Sequence, residues 1–269
     1  MTIVAGGDSF TYGLELADCI NSPSKKTFPA LLAGNDYECV AWGGYGNDSI
    51  ARTVIERCQR SVVDGVIVCW SFPGRYEFRY SYNTGQRTSP WHVINSWTII
   101  DDIEEIRKEF VTENHTILSQ EKDHLERANR TGVKDFAKTF FHHVGGTEYW
   151  EAYSSLKEIV YLQNYLNLKK LPYIFTCVDN SIFENFTVRE SSDPFIKSLI
   201  SQIDMNKWFL FPPGNKRGQT LTPRGFYQWA KENKYSIGTT HPLEEAHQDA
   251  ADLMQGKFHE LVKKNNQTY

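Results

Sequence analysis

The stretch TIVAGGDSFTYG, residues Thr2–Gly13, decides the fold that we expect for this chain. Its first four residues, Thr2–Ala5, form a short apolar run that stops at two glycines, which is typical of a buried strand. Asp8, Ser9 and Phe10 then follow at once. A serine in this place is either an ordinary polar turn residue or the start of a functional site. Which of the two it is depends on the other residues that the fold places beside this serine.

Apolar runs of the same character recur along the chain. They predict strands at Tyr37–Trp42, Val66–Trp70 and Leu171–Val178, with Trp208–Phe211 as a candidate fifth strand. Helical signals lie between these runs: one helix begins near Thr27, one near Asn47, one covers Glu148–Leu168 and the last runs from about Leu243 to Lys263. Strands that alternate with helices predict an α/β fold, a three-layer α/β/α sandwich around a mostly parallel, flavodoxin-like sheet.

The length of 269 residues suits one large domain with insertions. We expect a single domain over residues 1–269, interrupted by polar and aromatic insertions at about 76–150 and 179–235. The first insertion has helical patches such as Asp101–Phe110, and its aromatic residues either line a pocket or form a small core of their own.

Composition excludes several classes of function. The formal net charge of −4 gives no electrostatic footprint for nucleic acid, so we expect no nucleic-acid partner. No apolar run approaches the length of a membrane span, and the first residues lack the pattern of a signal peptide. The five cysteines are scattered, without the spacing of a metal site. We therefore expect a soluble, cytoplasmic protein with no membrane partner, no metal and no organic cofactor.

Polar and glycine-rich loops follow the first three predicted strands. They are Gly7-Asp8-Ser9, then Gly43-Gly44-Tyr45-Gly46-Asn47, then Ser71-Phe72-Pro73-Gly74-Arg75, and Thr240-His241-Pro242 comes just before the last helix. Parallel strands place such loops at one edge of the sheet, where ligands bind. A serine becomes a nucleophile when a histidine accepts its proton, and the resulting oxyanion needs fixed N–H donors. Ser9, His241 and Gly46 fit these three roles.

With these motifs the chain resembles the SGNH, or GDSL-type, hydrolase family. GDSFTYG is similar to the family's first block, which implies that Ser9 is the nucleophile and that its backbone N–H serves the oxyanion hole. GGYGNDS is similar to the second block, which implies a further oxyanion donor at Gly46. THP is similar to the last block, which implies that His241 is the general base. The resemblance covers nearly the whole order of strands, apart from the insertions.

Two positions depart from the family's pattern. WSFPGRYEF stands where the third block has an asparagine as the third oxyanion donor, so either the Ser71 hydroxyl or the Arg75 guanidinium is expected to take that role. The acid that usually stands three residues before the histidine is replaced by Gly238. A backbone carbonyl, another acid such as Asp179, or a Ser-His dyad without an acid are the alternatives.

Polar residues around the motifs complete the expected site. Asp8, Asn47 and Arg75 are candidate substrate-binding residues, although Asn47 and Asp48 also suit the start of a helix. The hypothesis is an SGNH-like serine esterase that hydrolyses an O-acyl ester, on a carbohydrate or another small molecule, through an acyl-enzyme. A catalytically weak module that binds a glycan or a protein is the alternative, and an acyltransferase on the same site is a third. The sequence leaves the substrate and the oligomeric state open.

Overall fold

The computed structural model describes residues 1–79, 91–100, 132–184, 193–213 and 223–263. Its strands are β1 Ile3–Gly6, β2 Tyr37–Cys39, β3 Gly65–Trp70, β4 Tyr76–Arg79, β5 Trp91–Ile94 and β6 Tyr173–Cys177. Its α-helices are α1 Ser9–Tyr12, α2 Phe28–Ala33, α3 Asn47–Arg60, α4 Val133–Phe140, α5 Glu148–Leu168, α6 Ser181–Glu184, α7 Pro194–Ser201, α8 Phe226–Glu232 and α9 Glu244–Phe258. Short 3-10 helices cover Gly34–Asp36, Ser96–Ile99 and Met205–Lys207, and π-helical turns cover Phe141–Gly145 and His259–Lys263.

The central sheet has the order β2-β1-β3-β6, and every pairing in it is parallel. Because side chains alternate along a strand, Val66, Val68 and Trp70 of β3 face a layer that contains α3 and α5. Ile67 and Cys69 face the opposite layer, which contains α2, α8 and α9. The predicted α/β fold with a mostly parallel sheet is confirmed.

The prediction of a fifth strand at Trp208–Phe211 is wrong. Trp208 makes a single parallel bridge to Phe175 of β6, and Phe211 pairs with Arg224 in the opposite direction. The antiparallel hairpin of β4 and β5 was not predicted from the sequence. Tyr76 and Phe78 of that hairpin belong to a small core with aromatic residues of α4 and the turn after it. Residues 101–110 lie outside the described residues, and the insertion boundaries stay a prediction.

In the described part of the chain, no helix combines the length and the apolar character that crossing a membrane requires.

His247 of α9 is a structural residue. Its side chain is 1% exposed, its Nδ1 accepts a hydrogen bond of 3.2 Å from the backbone N–H of Phe28, and its ring packs against Phe28 and Phe226. This bond satisfies one of the free N–H groups at the start of α2. Burial lowers the pKa of His247 to about 3, with a smaller contribution from the charge of His241.

Stability should therefore fall in mild acid through His247. A histidine in the unfolded chain titrates near pH ~6.5, so between that pH and about 3 the unfolded state binds a proton that the folded state does not. Its contribution to stability is complete above pH ~6.5 and is lost as the pH falls. We expect the free energy of unfolding to drop, between pH 7 and pH 5, by about 2 kcal/mol more in the wild type than in His247→Asn. Urea unfolding at the two pH values measures this, and equal drops would contradict it. Asn is the matched replacement because its Oδ1 has the same position along the side chain as the Nδ1 that accepts from the Phe28 N–H.

Candidate active site

Ser9 lies at the carboxyl edge of the sheet, three residues after β1 ends, and begins the single turn of α1. Asp8 caps this turn by accepting a hydrogen bond of 3.1 Å from the Phe10 N–H, and Gly13 ends it in the left-handed conformation. Ser9 is 7% exposed. Within the described residues, neither its hydroxyl nor its backbone N–H makes a hydrogen bond. Both groups are therefore free to act on a ligand.

Gly46 precedes α3 and follows the loop after β2. A Cβ at this position would overlap the backbone carbonyl of Arg75, so the close approach of the two loops requires glycine here. In the described part of the chain its N–H also has no acceptor. Ser9 and Gly46 thus offer two unpaired backbone donors at the same edge of the sheet.

A polar network lies beneath these donors. The carboxylate of Asp8 is fully buried, and its Oδ2 accepts hydrogen bonds from the Ser71 hydroxyl, at 2.6 Å, and from Arg75 Nη1, at 3.0 Å. The backbone N–H of Ser71 donates to Asn47 Oδ1 at 2.9 Å. Both donors of Ser71 are therefore used inside the protein, and the structure gives no support to the prediction that its hydroxyl is an oxyanion donor.

Asn47 and Asp48 do not act as the N-cap of α3, which is Gly46. Asn47 is buried, and besides accepting from Ser71 it donates from its amide to Ser155 Oγ at 3.1 Å. It ties two neighbouring elements together, and its role toward a substrate stays a prediction. Asp48 accepts from the backbone N–H groups of Ser49 and Glu77, and burial raises its pKa to about 6.

His241 is held by Glu15, which the sequence analysis did not identify. Glu15 Oε1 lies 2.9 Å from His241 Nδ1 and accepts from the Thr240 hydroxyl at 2.8 Å. The same carboxylate accepts from the backbone N–H groups of Thr239 and Thr240. Glu15 has a φ of 72°, in the left-handed region that a residue with a side chain seldom adopts. Its neighbours hold it in this strained conformation, which is typical of functional sites.

The charge of Glu15 determines which nitrogen of His241 carries the proton. Burial raises the pKa of Glu15, but the hydrogen bonds from His241 and Thr240, together with the charge of His241, more than offset this, so its pKa lies below the usual value. An ionised carboxylate only accepts hydrogen bonds, and we therefore assign the proton to Nδ1. In the neutral imidazole with its proton on Nδ1, Nε2 is the nitrogen that can accept a proton.

Glu15 also explains Gly238, the position where the family's acid is absent. A Cβ at Gly238 would overlap Glu15 Oε2, so the carboxylate occupies the space that a side chain at 238 would need. The acid on His241 Nδ1 in the structure is Glu15 and not Asp179, which accepts from the backbone N–H of Ser181 at the start of α6. The only sequence signal for Glu15 was indirect, namely a glycine where an acid was expected.

The structure brings the segment of His241 against that of Ser9. The ring of His241 packs on Phe10, the residue after Ser9, with 4.6 Å between ring centroids. In the described residues no hydrogen bond joins the Ser9 hydroxyl to His241, and such bonds are often loose in an unliganded site. Their direct contact stays a prediction.

Among the described residues, no three His, Cys, Asp or Glu side chains cluster in a way that would hold a metal ion. No family model matches the sequence, and no curated protein matches it. Among solved structures, the chain is similar to a member of the lipolytic protein G-D-S-L family from Veillonella parvula DSM 2008. The two are 13% identical in sequence and superpose with a TM-score of 0.40 over 98% of each chain.

Proposed function

We propose that this protein is a serine hydrolase that cleaves an O-acyl ester, on a carbohydrate or another small molecule. The observation that carries the proposal is the Glu15 carboxylate on His241 Nδ1, because it leaves Nε2 as a base beside the segment of Ser9. The Ser9 hydroxyl, which makes no hydrogen bond with the described residues, supports the same function.

The reaction proceeds in two halves. Ser9 Oγ attacks the carbonyl carbon of the ester and gives its proton to His241 Nε2. The N–H groups of Ser9 and Gly46 stabilise the oxyanion, and the alcohol leaves with the proton from His241. Water then attacks the acyl group on Ser9 with His241 again as base, which releases the carboxylic acid and restores the serine.

Labelling with a fluorophosphonate tests this function directly. Such a probe forms a covalent bond with an activated serine. We therefore expect the label on Ser9, in a single peptide that contains residues Thr2–Gly13. Mass spectrometry of the labelled protein identifies the residue, and a panel of 4-nitrophenyl esters measures turnover. A protein that takes no label at Ser9 and hydrolyses no ester would contradict the proposal and would favour a binding module.

A further inference from the structure

Arg75 is anchored by only one end of its guanidinium group. The side chain is 12% exposed, and its Nη1 donates to Asp8 Oδ2 at 3.0 Å, to Ser71 Oγ at 2.9 Å and to the carbonyl of Tyr45 at 3.4 Å. These contacts fix the plane of the group. Within the described residues, Nε and Nη2 have no acceptor.

Two other arginines in this chain show what that free edge binds. Arg52 holds Glu77 through Nε, at 2.6 Å, and through Nη2, at 2.7 Å. Arg57 holds Glu38 through the same two nitrogens. Nε–H and Nη2–H point in the same direction and match the two oxygens of a carboxylate. Among the described residues, no carboxylate meets this edge of Arg75.

The open edge of Arg75 can be reached by a ligand. Among the described residues, Nε and Nη2 are not in the set of fully buried polar atoms that lack a partner, so both donors are accessible from outside the protein. A structure that fixes Nη1 with three acceptors and leaves the bidentate edge open is therefore preorganised for an anionic ligand.

The open edge belongs to the candidate active site. Two of the acceptors of Nη1 are in Asp8 and Tyr45, the residues directly before Ser9 and Gly46. The guanidinium also lies over the ring of Phe72, 5.2 Å from its centroid. An anion bound to Arg75 would therefore lie at the same edge of the sheet as the Ser9 hydroxyl and the backbone N–H groups of Ser9 and Gly46.

We propose that Arg75 binds a carboxylate carried by the ester substrate, so that the natural substrates are acidic esters, such as monoesters of dicarboxylic acids. The inference rests on the proposed hydrolase function for its substrate, but the carboxylate site itself exists independently of turnover.

A binding measurement tests the carboxylate site without any reaction. Adipate and its neutral analogue adipamide are titrated into the wild type and into Arg75→Lys, which keeps the positive charge beside Asp8 but lacks the two-pronged edge. We expect adipate to bind at least about 10-fold more tightly than adipamide, and Arg75→Lys to remove most of that preference. Equal binding of the two compounds, or binding of inorganic phosphate but not adipate, would overturn the proposal.

A pair of esters tests the substrate class. Mono-4-nitrophenyl adipate and 4-nitrophenyl hexanoate have the same chain length and differ in the carboxylate. We expect the wild type to favour the acidic ester through a lower KM, and the ratio of the two kcat/KM values to fall about 10-fold or more in Arg75→Lys. The double variant Asp8→Asn/Arg75→Met should show the same fall, and it removes both charges of the pair so that no unpaired carboxylate is left buried.

The two proposals fail in different ways. If Arg75→Lys lowers kcat equally for both esters, Arg75 acts on the shared reaction, directly or through Asp8, and the carboxylate proposal is wrong. If no ester is hydrolysed but adipate still binds through Arg75, the carboxylate site is supported and the hydrolase function is wrong.

Discussion

Ser9→Ala should lower kcat/KM for ester hydrolysis by about 10⁴- to 10⁶-fold while leaving the fold intact. The hydroxyl makes no hydrogen bond inside the described protein, so its removal breaks no internal contact and costs little stability. It does remove the nucleophile, after which only substrate binding and the oxyanion donors remain. Steady-state kinetics on the best ester of the panel, together with a thermal melt, measure both effects.

Ser71→Ala is the matched control for this prediction. Ser71 is also a buried serine at the end of a neighbouring strand, but its hydroxyl donates to Asp8 and accepts from Arg75. Its replacement should destabilise the protein more than Ser9→Ala and reduce turnover far less. If Ser71→Ala abolishes turnover and Ser9→Ala does not, the nucleophile has been assigned to the wrong serine.

Glu15→Gln should reduce kcat by about 10³- to 10⁴-fold with little change in KM. The glutamine amide can donate to His241 Nδ1, and the ring then carries its proton on Nε2, where it cannot act as a base. Thr240→Val is the matched control. It removes the hydroxyl that donates to Glu15 Oε1 and lies 2.8 Å from His241 Nδ1, but it leaves the carboxylate on the histidine, so its loss of kcat should be much smaller.

Moving the acid provides a second test of Glu15. In Glu15→Gly the strained φ is relieved and the space beside Gly238 is emptied. Adding Gly238→Asp to that variant should recover part of the lost kcat, whereas Gly238→Asp alone should displace the Glu15 carboxylate from His241, because the new side chain would overlap Glu15 Oε2. Full activity in Glu15→Gln would show that the acid has no part in catalysis.

The sequence predicted the elements that rest on local patterns. The all-apolar runs gave β1, β3 and β6 to within two residues, and the helical spacing gave Glu148–Leu168 with both ends correct. The hairpin of β4 and β5 was missed because its strands are four residues each and mix charged with aromatic side chains. An aromatic run at Trp208–Phe211 suggested a strand, yet only one residue of it pairs with the sheet.

The part of the candidate site that could be predicted is the part that lies in loops next to predicted strands and helices. Ser9, Gly46 and His241 were chosen as candidates because each stands in a short motif. Glu15 was not, because its partner is 226 residues away and no periodicity or spacing marks a contact of that range. The hydrogen bond from the Ser71 hydroxyl to Asp8 could not be predicted either, because it depends on the register between β1 and β3.

The distance along the chain between Glu15 and His241 also determines how long synthesis takes to pass from one residue to the other. A ribosome adds about 5–20 residues per second, so about 11–45 s pass between the synthesis of the acid and that of its histidine, 226 residues later. For most of that interval the emerging chain contains Ser9 and Gly46 but not His241. The proposed reaction can therefore begin only after the late segment that carries His241 has docked onto the early segment of Ser9 and Glu15.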